Sequence, residues 1–163
     1  MDKNSVLSKI TKFCAYQERC LMEVKEKLNT FDISKQEEKD LIQFLEQDNY
    51  FNDLRYAQSV VRGKFGLKNW GRIKIVYALK QKNISIKNID IALEEITEEE
   101  YEKTLTALIK KKAKQLLEEN TLENNTEKNI FNQKIWTYAQ NKGYENEYIK
   151  KIIKNLDITN LSI

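Results

Sequence analysis

The sequence predicts an all-α protein of three tandem three-helix, helix-turn-helix-like repeats that form an elongated, curved array. Three observations carry this reading. The 163-residue chain has no proline, four glycines and 33% charged residues, a composition of helix formers without breakers. Apolar residues recur at three- and four-residue steps along nearly its whole length. One pattern of apolar positions and turns also comes round three times.

The clearest amphipathic stretch is 98–119, where Tyr101, Leu105, Leu108, Ile109, Leu116 and Leu117 mark one buried side. In 52–65, Leu54, Ala57, Val61 and Phe65 do the same, with Asn52 or Asp53 placed to cap the helix. Breaks are expected at Asn29–Ile33, Gln47–Phe51, Gly66–Asn69, Asn83–Ser85, Ile96–Thr97, Asn120–Thr126 and Gly143–Glu145. About nine helices with short connections result.

The helices fall into three groups. Ile75, Leu79, Ile84, Ile89 and Leu93 form a series in the middle of the chain. Sixty residues on stand Ile135, Ala139, Tyr144, Ile149 and Ile153; fifty-one residues back stand Val24, Leu28 and Ile33, after which extra residues displace the last helix to Leu41 and Leu45. Gly143 falls where Asn83 falls, and both residue types tolerate the left-handed backbone of a helix C-cap. The expected units are 1–48, 49–96 and 97–157, with a tail at 158–163. Each is too small for an ample core of its own.

Composition excludes several classes of function. No run of about eighteen apolar residues exists for a membrane helix, and MDKNSVLSKITKF has no apolar signal region. The reading is a cytoplasmic protein that uses no membrane. Cys14 and Cys20 are the only cysteines and there is no histidine. A structural zinc site would need four cysteines, and histidine-based acid–base chemistry is ruled out. The two thiols, on different helix faces or on two helices, read as small core hydrophobes. No phosphate loop, nucleophile elbow or metal-ligand spacing is present. The expectation is a protein that is not an enzyme and uses no cofactor and no small-molecule substrate.

The net charge of +3 hides a segregated distribution. From Arg55 to Lys87 there are nine basic residues and no acid, whereas 34–53 hold six acids against two lysines and 94–102 hold six acids alone. A second basic run holds Lys103, Lys110, Lys111, Lys112 and Lys114. Faces that meet a polyanion or an acidic protein would look like this. Helices that pair with one another by charge would look like it too.

Two segments are more specific. The stretch 49-NYFNDLRYAQSVVRGK-64 is an aromatic turn, an Asn-Asp cap and a helix bearing Arg-aromatic-Ala. The stretch 69-NWGRIKIVYALKQKNIS-85 sets an aromatic and a glycine at a helix start and ends in a Lys-Asn-Ile turn. With the threefold repeat, these resemble the RecX family. Tyr50, Phe51, Asp53, Arg55, Tyr56 and Ala57 match its first motif; Trp70, Gly71 and Ile75 match its second. Asn52 stands where the family has aspartate, Asn49 stands where it has glycine, and the connection at 34–40 is longer. The resemblance covers residues 5–156. It implies a modulator, usually an inhibitor, of the RecA recombinase, lying along the groove of the RecA–DNA filament and impeding ATP turnover and strand exchange. The expected protein is a monomer, with weaker, non-specific contact to single- or double-stranded DNA supplied by the Arg55–Lys87 block.

Candidate binding residues are Arg55, Arg62, Lys64, Lys68, Arg72, Lys74, Lys80 and Lys82 in the first basic block, and Lys110, Lys111 and Lys114 in the second. For Arg55 the competing reading is a pair with Asp53 or with an acid on the 34–47 helix. Arg62, Lys64 and Lys68 approach an expected loop around Gly66. Gly71 could let an anion approach a helix N-terminus, although Trp70 reads as packed. Lys74 and Gln81 are placed on an outward face. The rival class is a direct helix-turn-helix DNA regulator, but lysine-rich faces discriminate bases poorly.

Overall fold

A computed structural model of the chain describes residues 3–119 and 122–157; the expected tail at 158–163 lies outside the described residues. Nine α-helices and no strand occur among them: α1 (Lys3–Tyr16), α2 (Leu21–Leu28), α3 (Lys35–Gln47), α4 (Asp53–Lys68), α5 (Arg72–Gln81), α6 (Ile86–Leu93), α7 (Glu98–Glu119), α8 (Asn125–Lys142) and α9 (Asn146–Lys154). The helix starts carry their own local signals. Ser34 with Glu37 and Asn124 with Glu127 form capping boxes, and Ser85 accepts from the Asn88 amide. Thr97 and Glu100 exchange the same pair of bonds ahead of α7.

The apolar register holds in three dimensions. Ile75, Leu79, Ile84 and Ile89 are buried, as are Ile135, Ala139, Tyr144 and Ile149, and Val24 and Leu28. Leu93, Ile153 and Ile33, at the ends of the series, are half-buried. The expected equivalence of Asn83 and Gly143 is also present, at φ 56° and 94°. Each ends its helix with the same two bonds: Asn83 N–H to Lys80 O with Ile84 N–H to Leu79 O, and Gly143 N–H to Gln140 O with Tyr144 N–H to Ala139 O. Asn49, at φ 56°, does the same through Glu46 O and Leu45 O. An asparagine at the family's glycine position therefore keeps the turn.

Two boundaries differ from expectation. Helix α4 runs through Gly63 and Gly66 to Lys68, so the loop expected around Gly66 shrinks to a sharp turn at Asn69, where φ is 55°. A further break at 17–20 separates α1 from α2. Arg19 closes it by donating from Nε to the Phe13 carbonyl at 3.2 Å. Cys14 thus sits on α1 while Cys20 is the residue before α2; both are free and buried, and burial raises both thiol pKa values. The break expected at Asn120–Thr126 contains Asn120 and Thr121, which lie outside the described residues.

The helices build two compact units, Met1–Gly63 with Tyr77–Glu95, and Lys64–Val76 with Ile96–Ile163. In the first, Val6, Ile10, Cys14, Val24, Leu28, Leu41, Leu45 and Phe51 form one buried cluster. In the second, Tyr101, Leu105, Ile109, Phe131, Ile135 and Tyr144 are among the buried residues. No charged side chain is fully buried among the described residues, as expected where unpaired burial would cost several kcal/mol.

Candidate binding surfaces

In the first unit, the 49–57 motif acts as a clamp. Asn52 accepts from the Arg55 amide at 2.9 Å and caps α4, the task the family's aspartate would do. Asp53 reaches elsewhere: its Oδ1 accepts from the Leu21 amide at 2.8 Å and caps α2, whose own preceding residue, Cys20, provides no side-chain cap. Arg55 forks onto Glu18 at 3.1 and 3.2 Å and donates to the Asn49 carbonyl at 2.9 Å. Its acid is therefore neither Asp53 nor a residue of α3. Glu18 lies in the 17–20 break that the pattern of apolar residues does not reveal. The Tyr56 hydroxyl meets Glu23 at 3.3 Å, and Ala57 is buried.

The second unit contains the Trp70–Gly71 motif. Gly71 N–H donates to Lys142 O at 2.8 Å and Ile73 N–H to Gly143 O at 3.0 Å. The Arg72 amide donates to the Tyr101 hydroxyl at 3.0 Å. A Cβ on Gly71 would stand 2.3 Å from the Gly143 carbonyl carbon. The glycine thus serves a backbone-to-backbone approach, and the α5 amides that an anion would use are occupied. A recognition helix reads DNA with its first residues; those of α5 face protein. Arg72 lies 4.0 Å from the Tyr101 ring centre and bonds Glu98 at 2.6 Å and the Tyr148 hydroxyl at 3.3 Å. Tyr148 also bonds Glu98.

The basic block is partly neutralised by acids from outside it. Arg62 holds both Glu95 oxygens at 3.0 Å, and Lys82 meets Glu23 at 3.3 Å. Lys64 and Lys74 lie over the half-buried Trp70 ring at 4.7 and 4.6 Å. Lys74 is itself half-buried, its base against Gly143 and its Nζ 3.3 Å from Asn141 O, rather than pointing outward with Gln81. Lys68 and Lys80 are exposed, with no ion pair among the described residues. On α7, Lys110, Lys111 and Lys114 share an exposed face in the same condition, while Lys112 is half-buried beside Gln115 and Tyr138.

A further charged face escaped the sequence reading. On α1, Lys9, Lys12, Phe13 and Tyr16 follow a three- and four-residue spacing, and α2 and its exit add Lys27 and Phe31. These residues line one shallow concavity with Arg19. Lys27 lies 5.8 Å from the Phe13 centroid and 5.7 Å from that of Phe31; Lys9 lies 6.0 Å from Phe31. Tyr16 is 84% exposed. The stripe was legible as spacing, but short charged stretches at a chain's start carry no signal by composition.

Burial, with Glu145 accepting from its hydroxyl at 2.5 Å, pushes the Tyr101 phenol well above its ordinary pKa. Burial does the same for Tyr144, and burial with Glu23 for Tyr56. Each phenol ionises near pH 10 in the unfolded chain, so folding keeps extra protons above that pH. Stability is unaffected at neutral pH and falls as pH rises beyond about 10. In an alkaline titration, phenolate absorbance from these three should appear together with the loss of helical circular dichroism. A smooth titration of all eight tyrosines with helicity intact would refute this.

Among the described residues, no helix is long and apolar enough to cross a membrane, and no group of three or more acids or cysteines is placed to hold a metal. Residues 52–93 match the family model described as RecX, second three-helix domain. A regulatory protein RecX of Clostridium botulinum (strain Eklund 17B) is 31% identical over 132 residues, 81% of this chain and 59% of that protein. One from Lactobacillus gasseri is 27% identical over 150 residues, 90% of this chain and 51% of that protein. The chain thus spans between half and three-fifths of the length of these two relatives. The crystal structure of RecX from Lactobacillus salivarius superposes with a TM-score of 0.81 over 96% of this chain and 97% of that one, at 24% identity. Helix order, the match over α4–α6 and these relatives agree: the chain belongs to the RecX family of regulatory proteins.

Proposed function

We propose that this chain binds the RecA nucleoprotein filament and lowers RecA ATP turnover and strand exchange, so restraining recombinational DNA repair. The observation that carries the reading is the family membership, whose relatives are named regulatory proteins. In this reading the three-helix units 1–48, 49–96 and 97–157 are the repeating modules. The protein works as a cytoplasmic monomer without cofactor or small-molecule substrate. The exposed lysines Lys68, Lys80, Lys110, Lys111 and Lys114 supply the charge that meets acidic protein or phosphate, whereas Arg55, Arg62, Arg72 and Lys82 are each paired with an acid of the same fold. Contact with single- or double-stranded DNA is weaker and independent of sequence, as lysine–phosphate contacts are.

The test is RecA ATPase on single-stranded DNA, with RecA from the same organism. Wild-type protein should inhibit turnover. Reversing Lys110, Lys111 and Lys114 to glutamate should raise the half-inhibiting concentration by about tenfold, since charge at an interface rim sets encounter and register. No inhibition by the wild-type chain at several-fold excess would sink the reading.

A further inference from the structure

We propose that the α1–α2 face of Lys9, Lys12, Phe13, Tyr16, Lys27 and Phe31 is a binding groove for single-stranded nucleic acid, in which an unpaired base stacks on Tyr16 while Lys12 and Lys27 neutralise flanking phosphates. The proposal stands apart from the RecA reading and from the basic block between Arg55 and Lys87.

The seven residues lining this concavity are four bases and three aromatics, with no acid among them. Arg19 is structural: its guanidinium packs 3.8 Å from the Phe13 centroid and sits 3.7 Å from Glu23. Glu23 is also engaged by Lys82 and the Tyr56 hydroxyl, both at 3.3 Å. Lys27 lies over ring faces, within reach of both Phe13 and Phe31, and Lys12 is exposed one helical turn before Tyr16. Cations and ring faces thus alternate along one surface, the composition of a platform for unpaired strands.

Charge and exposure favour this occupant over others. Carboxylates of an acidic peptide would satisfy the lysines but offer nothing to a tyrosine ring standing 84% in solvent. A duplex hides its base faces within its own stack, leaving that ring equally unused. Lys9 to Tyr16 spans about 10 Å of helix, the length of three stacked bases at about 3.4 Å each.

The test uses the full chain without RecA, a labelled oligothymidylate of about a dozen nucleotides, and fluorescence anisotropy at several salt concentrations. Tyr16→Ala should weaken binding roughly tenfold with the salt slope unchanged, and Tyr16→Phe should bind as wild type, because stacking needs the ring alone. Lys12→Ala with Lys27→Ala should lower the slope of log K against log salt by about 1.4, two single-strand phosphate contacts. Lys12→Ala alone, on an exposed side chain, should lower it by about 0.7 and guards against misfolding of the double variant. Unchanged affinity in Tyr16→Ala would overturn the proposal. So would equal affinity for a duplex of the same length or for polyglutamate, or binding abolished only by reversing Lys68 or the α7 lysines.

Discussion

Gly71→Ala is expected to lower the stability of the chain by about 3 kcal/mol or more, an effect of the size seen when packed backbone is forced apart. The added Cβ would lie 2.3 Å from both the Gly143 carbonyl carbon and oxygen and 2.5 Å from the Tyr144 amide nitrogen. These are backbone atoms and cannot swing aside as a flexible side chain would. The start of α5 would have to lift from the α8–α9 turn. It would then lose the bonds from Gly71 to Lys142 O and from Ile73 to Gly143 O. The midpoint of a thermal melt should fall by roughly 10 °C. Gly66→Ala is the matched control, since nothing lies within 4 Å of its Cβ position and the residue is inside α4. There alanine should stabilise by about 0.5–1 kcal/mol. If the two substitutions moved the melt alike, the close approach at Gly71 would be misplaced.

Leu79→Asp should cost on the order of 3–5 kcal/mol, because it places an unpaired carboxylate where no solvent reaches. Leu79 is 0% exposed in α5, and its carbonyl accepts from Ile84 in the turn that ends the helix. Lys80→Asp, one residue on at an exposed position, should cost only about 1 kcal/mol, from the reversed charge in the last turn of α5. Urea unfolding followed by circular dichroism compares them. Equal midpoints for the two variants would show that the register assigned to the middle repeat is shifted.

That register was legible because helical burial repeats at a fixed step, and a twice-repeated offset of apolar positions is hard to obtain by chance. The left-handed turn at Asn83 and Gly143 was legible for the same reason. The break between α1 and α2 was not. Its residues, Gln17 to Cys20, include no glycine, proline or asparagine, and the carboxylate that caps α2 belongs to Asp53, 32 positions away in sequence. The binding candidates divided along a similar line. A block of nine bases without an acid is a statement about neighbours in sequence. Glu18, Glu23, Glu95 and Glu98 reach Arg55, Lys82, Arg62 and Arg72 across the fold. Linear charge patterning is blind to them. Lys68, Lys80, Lys110, Lys111 and Lys114 keep the exposure their positions implied. Gly71 shows a third limit: a glycine at a helix start reads alike whether an anion or another backbone comes close.

The borrowed cap on α2 also bears on the order in which the chain becomes native. Translation delivers residues in sequence, so α1, α2 and α3 leave the ribosome before Asp53 does. Until then the first turn of α2 has no carboxylate at its amides, a deficit of about 1 kcal/mol in an eight-residue helix. Arg55, which ties Glu18 and the Asn49 carbonyl together, arrives two residues later. The nascent amino-terminal segment thus lacks both contacts until the aspartate and arginine of one short motif arrive with α4.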